Sequence, residues 1–242
     1  MSQVYASEPA TAGRVIFETT HGPLEIQLWC RECPHTTRIF LQLCLDGFYD
    51  GIIVHRILPN TLLQCGALRS SNNSSQPLTA VDLDRSRADW QTYRKSIEAD
   101  EGLERRQYEL HTRLRFSHRG LVAMALPAVE EAGDTTGDDD LVQRQAQFFV
   151  TLEEAHHLDG KHVIFGTVAG PTIFNALRMG RIEVEEETGQ PADLEDAPRI
   201  KSVKIVENPI HTDLVVQKKL PWSEKAEKVV KKKKKRKGKL VH

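Results

Sequence analysis

A guanidinium, an imidazole and an amide lie close together in one short apolar segment of the chain, residues 54–64. Arg56 follows His55 directly, and Gln64 comes after the next turn. An X-Pro peptide bond prefers the trans form only weakly, yet a barrier of about 20 kcal/mol separates it from cis because amide resonance stiffens it. A donor aimed at the proline nitrogen localises its lone pair, and arginine suits that task because its fork of donors is always charged. The segment therefore indicates a groove for an extended, proline-containing peptide.

Short apolar segments around this one predict a mainly β architecture. Partial alternation in residues 15–20 and 24–29 predicts a β-hairpin whose turn is His21–Pro23. Further strands are predicted at 52–58, 62–64, 120–125, 148–151, 163–168 and 200–207. Pro34 precedes a predicted helix over 36–46 that Gly47 ends, and a second helix is predicted at 172–179. Eight short strands with two helices favour a closed antiparallel barrel whose ends the helices cover.

Two polar segments interrupt this pattern. Residues 70–108 open with a serine- and asparagine-rich spacer and then carry Trp90, Tyr93 and Ile97 at the spacing of one helical face. That face either pins the segment to its own barrel or forms a docking surface for a partner. The acidic loop, residues 129–141, holds six carboxylates among glycine and threonine. It lacks the ligand spacing of a calcium loop, which favours a solvated loop over a metal site.

The net charge of −1 conceals a strong asymmetry. Residues 218–242 contain 12 basic and 2 acidic residues, whereas residues 1–217 contain 21 basic and 32 acidic ones. The basic tail, residues 212–242, includes the run Lys231–Lys237. A run of this kind is typical of a nuclear localisation signal, of an arm that contacts nucleic acid or an acidic partner, or of a disordered solvated tail.

Several classes of protein are not expected from this sequence. No stretch of 18 apolar residues and no basic-then-apolar leader is present, so we expect neither a membrane protein nor a secreted one. The chain's length suits one domain with a single core. Cys30 and Cys33 have C-x-x-C spacing, but no second ligand pair accompanies them. We therefore expect free thiols in a reducing compartment, with no metal and no cofactor.

The sequence resembles the cyclophilin family of peptidyl-prolyl isomerases over most of residues 4–210. Five stretches in the family's order carry the resemblance: GPLEIQLW at 22–29, residues 49–66, RGLVAMA at 119–125, QFFVTL at 147–152 and LDGKHVIFG at 158–166. Shorter stretches at 4–5, 8–9, 110–116, 200–203 and 208–209 resemble the nuclear, spliceosome-associated subgroup. The resemblance implies a closed eight-stranded cyclophilin-like barrel over residues 1–211, capped by two helices. Residues 70–108 then include an insertion, since the family crosses this interval in fewer residues.

The resemblance also implies a site. It makes Arg56 the catalytic donor, with Gln64 to orient it and to bind the peptide backbone. The other positions that it assigns to peptide binding are Thr61, Leu62, Ala125, Leu126, Gln147, Phe149, His157, Leu158 and His162. The acidic loop would border this groove and favour basic ligands.

Three of these positions depart from the family's pattern. Thr61 replaces a phenylalanine wall, Leu126 replaces an amide that binds the substrate backbone, and His157 replaces a tryptophan that hydrogen-bonds ligands. Each 1.4 kcal/mol withheld from the transition state slows a reaction about tenfold. The departures favour weak or lost isomerase activity, while Arg56 argues for an active enzyme.

Three functional interpretations follow. The favoured one is a nuclear, spliceosome-associated protein that binds an extended proline- or glycine-containing segment of a splicing factor, with a role in pre-mRNA splicing. The alternative is an active isomerase that acts on nuclear proteins. A third makes the tail primary and tethers the barrel to RNA. Any RNA contact would be weak and non-specific, because no RNA-recognition motif with interleaved aromatic residues is present.

Overall fold

The computed structural model describes residues 8–66, 109–127, 146–193 and 195–209. Three segments singled out in the sequence lie outside these ranges: the interval 70–108, the acidic loop 129–141 and the basic tail 212–242. The helical face of Trp90, Tyr93 and Ile97, the disorder of the tail and the domain boundaries therefore stay predictions.

Eight β-strands and two α-helices make up the regular structure of the described residues. The strands are β1 (Gly13–Thr19), β2 (Gly22–Leu28), β3 (Val54–Leu58), β4 (Leu62–Cys65), β5 (Leu121–Pro127), β6 (Phe148–Thr151), β7 (His162–Val168) and β8 (Ile200–Glu207). The helices are α1 (Pro34–Leu45) and α2 (Ile173–Met179), and short 3-10 turns lie at His156–Leu158 and Gly170–Thr172. Each predicted strand and helix is present, with ends that differ by at most two residues.

The strands form one antiparallel sheet in the order β3-β4-β6-β5-β7-β2-β1-β8. An isolated bridge between Ile53 and Arg199 brings the two ends of this order together. The amide of Val54 donates to the Pro198 carbonyl at 2.8 Å beside that bridge. The mainly β, eight-stranded fold with two helices is thus confirmed, while complete closure of the barrel stays a prediction.

The first hairpin turns earlier than expected. The turn was predicted at His21–Pro23, but Gly22 and Pro23 belong to β2, where they pair with Thr19 and Glu18. Only two residues therefore connect the strands, as in the commonest β-hairpins. Gly22 has φ +110°, which a residue with a side chain rarely adopts, and this allows the strand to begin at that position.

Helix α1 begins with a long-range cap. Pro34 occupies its first turn, where a missing amide proton costs nothing. The buried carboxylate of Glu109 accepts hydrogen bonds from the amides of His35 at 2.7 Å and Thr36 at 3.0 Å. These are two of the four amides that a helix N-terminus leaves without a backbone acceptor. The chain that returns from the interval 70–108 is thereby attached to α1.

Two apolar clusters lie on opposite faces of the sheet. The larger one holds a group of mutually packed aromatic rings under α1, with centroids 5.0 to 5.9 Å apart: Phe17, Phe40, Tyr49, Phe148 and Phe165. The smaller one is built around Phe116 and Phe149. Successive side chains of a strand point to opposite faces, so the neighbours Phe148 and Phe149 supply both clusters. Phe149 is the one that faces the candidate groove.

Candidate functional site

A row of residues crosses four neighbouring strands on one face of the sheet. Arg56 on β3 is the partner of Gln64 on β4, Gln64 is the partner of Phe149 on β6, and Phe149 is the partner of Ala123 on β5. Directly opposed residues of paired strands share a face. Arg56 is exposed while its neighbours His55 and Ile57 are buried. The strand register therefore places the exposed Arg56 at one end of a row whose other residues are more buried.

The polar part of this row is fixed by a second amide. The side-chain nitrogen of Gln64 donates to the side-chain oxygen of Gln147 at 2.8 Å. Gln147 directly precedes β6, and its carbonyl accepts from the amide of Ala125 at 3.0 Å. Three of the residues assigned to peptide binding thus lie within one hydrogen-bonded group.

Phe149 forms the apolar floor beside that group. It is only 3% exposed and stacks on Phe116, with ring centroids 5.7 Å apart. His162 meets it edge-on at 5.2 Å. Nδ1 of His162 lies 3.0 Å from the Met124 carbonyl oxygen, which can only accept, so this nitrogen carries the proton. The ring orientation of His162 is fixed by that bond.

The remaining assigned residues divide into those at the apolar floor and those away from it. Leu62 is buried in the smaller cluster, and Ala125 and Leu158 pack half-buried against it. Leu126 lies on β5, next to Ala125. Thr61 is half-buried in the turn after β3, where its hydroxyl donates to the Pro59 carbonyl at 3.4 Å.

His157 is exposed on the 3-10 turn His156–Leu158. Asp159 ties this turn to the aromatic floor, because its carboxylate accepts from the Phe116 amide at 2.6 Å and contacts Nδ1 of His156 at 3.1 Å. The turn that carries the exposed His157 is therefore tied to the apolar floor.

His55 has a role in packing rather than in proton transfer. Burial lowers its pKa to about 4, and the positive charge of Arg56 acts in the same direction. Its Nδ1 is buried and has no hydrogen-bond partner among the described residues. The imidazole is therefore neutral near pH 7. Rotation about a prolyl bond transfers no proton, so a base is not needed beside Arg56.

One element of the site was not predicted from the sequence. The segment 183–192 folds back on itself through a bridge between Val184 and Pro191, and its Gly189 carbonyl accepts from the Ile57 amide at 2.6 Å. A β-carbon on Gly189 would lie 3.5 Å from Cγ of Arg56. The acidic hairpin, residues 183–192, thus borders the groove at its guanidinium. The turn-forming pair Thr188-Gly189 was the signal that could have revealed it.

The described residues contain no group of three or more histidine, cysteine or carboxylate side chains arranged to hold a metal. Their four cysteines are all free, and burial raises the pKa of Cys30 and of Cys33, which keeps both as thiols. No helix in the described ranges is long and apolar enough to cross a membrane.

The sheet order and the two helices together define a prolyl isomerase fold. The chain belongs to the cyclophilin-type peptidyl-prolyl cis-trans isomerase family, whose model matches residues 14–207. The family resemblance seen in the sequence is thus confirmed.

Relatives extend this assignment. The chain is 37% identical over 209 residues to the peptidyl-prolyl cis-trans isomerase CYP57 of Arabidopsis thaliana. The matched region covers 86% of this chain and 34% of that protein. It is 33% identical over 209 residues to the spliceosome-associated protein CWC27 homolog of Xenopus laevis, covering 86% and 36%. The chain thus spans about a third of the length of these relatives. A crystal structure of a cyclophilin-type isomerase from Cryptosporidium parvum shares the fold at 23% identity, with a TM-score of 0.54 over 83% of this chain and 100% of that one.

Proposed function

We propose that this chain is a nuclear, spliceosome-associated cyclophilin-like protein with a role in pre-mRNA splicing. Its groove binds an extended proline- or glycine-containing segment of a splicing-factor protein, and its isomerase activity is weak or lost. The name of the Xenopus relative supports the association with the spliceosome. The basic tail supports the nuclear location.

The observation that carries peptide binding is the row Arg56–Gln64–Phe149 with His162 beside it. A proline ring is apolar and compact, and it packs against Phe149 at the floor. The amide of Gln64 offers donors and an acceptor to the peptide backbone, and Arg56 supplies charge-assisted donors to a carbonyl or to the prolyl nitrogen. An extended peptide segment that lies along this row can therefore place its proline ring on Phe149 and form hydrogen bonds with Gln64 and Arg56.

Weak activity follows from what surrounds this row. Thr61 and His157 are small or exposed where the family has aromatic walls. A missing aromatic contact costs about 1.5–3 kcal/mol of apolar burial. Only contacts that are stronger in the twisted transition state accelerate the reaction. A groove that holds the peptide but encloses it loosely keeps part of its affinity and loses much of its rate enhancement.

An active isomerase that acts on nuclear proteins is the alternative, and one observation favours it. Arg56 is exposed on β3 and next to Gln64, as a catalytic donor requires. In this case the guanidinium hydrogen-bonds the prolyl nitrogen, localises its lone pair and lowers the barrier to rotation. The RNA-tethered scaffold depends on the basic tail, which lies outside the described residues.

One assay separates binder from enzyme. The cis–trans exchange of an Ala-Pro peptide is measured by NMR with the full chain, and we expect a rate close to the uncatalysed one. A kcat/KM near ~10⁷ M⁻¹s⁻¹, within the range of efficient enzymes, would establish the isomerase instead.

The same samples report binding. Peptide addition is expected to shift the amide signals of Gln64, Phe149 and His162, and Arg56→Ala should weaken these shifts. Arg181→Ala, which removes another exposed arginine, is the matched control. Shifts that Arg56→Ala leaves unchanged would exclude a binding role for this row.

The splicing role is tested separately. Labelled chain of residues 1–242 is added to nuclear extract during the assembly of spliceosomes on a pre-mRNA, and we expect it to co-sediment with them. Arg56→Ala should reduce this co-sedimentation if the groove holds a splicing factor. No co-sedimentation of the unaltered chain would contradict the proposal.

A further inference from the structure

Phe174 is the most exposed large apolar side chain of the described residues. It is 59% exposed, and Val206, at 38%, is the next. Phe174 is the second residue of α2 and follows the 3-10 turn Gly170–Thr172. An exposed phenylalanine has an unfavourable contact with water that burial in a partner would remove.

The exposure of Phe174 is imposed by its neighbours. The hydroxyl of Thr172 donates to the Ala169 carbonyl at 2.6 Å and accepts from the Glu25 amide at 3.2 Å. The amide nitrogen of Asn175 donates to the Pro23 carbonyl at 2.6 Å. Both residues tie the start of α2 to β2, so the helix cannot turn to bury the ring.

A cavity of about 480 Å³ lies beside Phe174. Its lining residues, besides Phe174 and Gly170, are His118, Arg119, Thr167, Val168, Pro171 and Ile173. Its wall is well fixed, because Gly120 approaches so closely that a β-carbon there would lie 3.2 Å from Cδ1 of Ile173. The amide of Gly120 also donates to the Thr151 carbonyl at 2.7 Å. We call this cavity, with Phe174 at its edge, the Phe174 pocket.

The Phe174 pocket lies away from the groove, at the other end of the same strand pair. β5 and β7 are antiparallel, and Leu121 pairs with Thr167 at the pocket end, whereas Pro127 pairs with His162 at the groove end. Six steps along a strand cover about 20 Å, so Pro127 and His162 lie that far from the pocket end, while Ala123, the last residue of the row, is two steps from Leu121. One ligand could occupy the pocket while another occupies the groove.

Two basic residues, His118 and Arg119, lie at the rim of the pocket. Nδ1 of His118 lies 2.8 Å from the Arg119 carbonyl oxygen, and its Nε2 lies 3.0 Å from the carboxylate of Glu8. The hydrogen bond with Glu8 raises the pKa of His118. The neighbouring guanidinium of Arg119 is exposed and has no ion-pair partner among the described residues. Arg119 thus places an exposed positive charge at the rim.

We propose that the Phe174 pocket docks an acidic peptide segment of another protein, with an apolar side chain packed against Phe174 and a carboxylate on Arg119. The exposed charge of Arg119 favours an acidic partner, and the cavity beside Phe174 accommodates an apolar side chain. Glu8 on His118 shows that this rim already holds a carboxylate of the chain itself. This second surface goes beyond peptide binding at the groove and would let one chain bridge two partners.

The test uses the full chain labelled with ¹⁵N and a capped peptide of one leucine with two glutamates on each side. We expect saturable shifts of the amides of Phe174, Arg119 and Gly120. Phe174→Ser and Arg119→Glu should each raise the Kd at least about tenfold, the loss of one good contact. Val206→Ser and Arg181→Glu alter another exposed apolar residue and another exposed arginine, and they should leave the Kd unchanged.

Control peptides separate the two parts of the recognition. Replacing the leucine by serine, or the glutamates by lysines, should abolish the shifts at Phe174. Shifts confined to residues 212–242 would mean that the peptide binds only the basic tail, and they would overturn the proposal. Equal affinity of the Phe174→Ser variant would do so as well. Arg56→Ala should leave binding of the acidic peptide at the Phe174 pocket unchanged. A failure of this proposal can therefore be told apart from a failure of peptide binding at the groove.

Two other occupants would also overturn the proposal. A concentration-dependent dimer in sedimentation that Phe174→Ser dissociates would identify a second copy of this chain as the ligand. The other outcome is that removing residues 1–7 from the chain, with no peptide added, reproduces the shifts at Phe174. In that case the chain's own N-terminal segment would be the occupant.

Discussion

At Arg56 and His55, two neighbouring basic side chains have opposite environments. The guanidinium is exposed on β3, whereas the imidazole is buried and its pKa is lowered to about 4. A second cation at this position would repel Arg56 and any positive charge on a bound peptide. Holding His55 neutral therefore leaves Arg56 as the single charge of the strand β3.

The burial of His55 predicts a loss of stability in acid. Its pKa is about 4 in the folded chain against an ordinary value of 6.5, so between these values the unfolded chain binds more protons. Stability from this residue is complete above pH 6.5 and is lost as the pH falls towards 4, by roughly 3 kcal/mol at most. Urea unfolding at a series of pH values measures this slope, and His55→Gln should flatten it.

His118 provides the internal control for that measurement. Its pKa is raised by Glu8, so its contribution is complete below pH 6.5 and is lost as the pH rises through the folded value. His118→Gln should therefore change the slope on the alkaline side and leave the acid side as it is. An unaltered acid slope in His55→Gln would show that another group titrates there.

His157 predicts weak binding of cyclosporin. The residue is exposed on its 3-10 turn, and the family resemblance implies that it replaces a tryptophan that contacts the drug. A lost aromatic contact and a lost hydrogen bond together cost about 2–4 kcal/mol. His157→Trp should recover part of the affinity in isothermal titration calorimetry, since Thr61 and Leu126 also differ. Val206→Trp controls for the added ring, and tight binding by the unaltered chain would contradict this prediction.

At the scale of elements, local patterns were sufficient to locate the secondary structure. β6 and β8 have the predicted ends, because their apolar residues and the turns around them lie within a few positions of each other. Contacts between distant parts of the chain were not predictable in this way. Glu109 binds α1 across 73 residues, and Gln64 bonds Gln147 across 83. No periodicity links such positions, and only the family resemblance indicated that Gln64 and Gln147 share a site.

The groove shows the same division. Arg56, Gln64 and Phe149 were named from motifs, and the register of β3, β4 and β6 brings them into one row. Phe116 and the acidic hairpin were not assigned to the site. Phe116 stacks on Phe149, and its backbone is held by tertiary hydrogen bonds with Asp159 and Ala155. The roles of the named residues stay predictions.

Helix α1 gives the element-scale prediction. Glu109→Ala removes the acceptor of the amides of His35 and Thr36, which are left unpaired in a largely buried position. Loss of a cap and of buried hydrogen bonds costs about 1–3 kcal/mol. The denaturation midpoint should fall accordingly, and hydrogen exchange should accelerate at these two amides first.

Glu109→Gln keeps one acceptor oxygen and should lose about half as much stability. Glu183→Ala removes an exposed carboxylate and serves as the matched control. A midpoint unchanged in Glu109→Ala would mean that water replaces the cap at no cost.

At the scale of the whole molecule, acidic and basic residues are distributed unevenly along the chain. Residues 1–217 carry 32 acidic and 21 basic residues, and residues 218–242 carry 12 basic and 2 acidic ones. The exposed glutamates of the acidic hairpin contribute to the first group beside the groove. Phosphate is therefore repelled by the field of residues 1–217 as a whole and attracted by the tail.

The charge asymmetry predicts the effect of removing residues 225–242. If the run Lys231–Lys237 is a nuclear address, the truncated chain should keep the unfolding midpoint of the full chain and move from nucleus to cytoplasm, as followed with a fluorescent fusion. A variant with the run replaced by glutamines keeps the length and isolates the charge.

If the tail is instead an RNA arm, truncation should weaken RNA binding, and the binding of the intact chain should fall steeply with salt because bound counterions are released. We expect the change in localisation to be the larger effect. Strong RNA binding by residues 1–217 alone would contradict this account, because a net charge of −11 leaves phosphate without a general attraction.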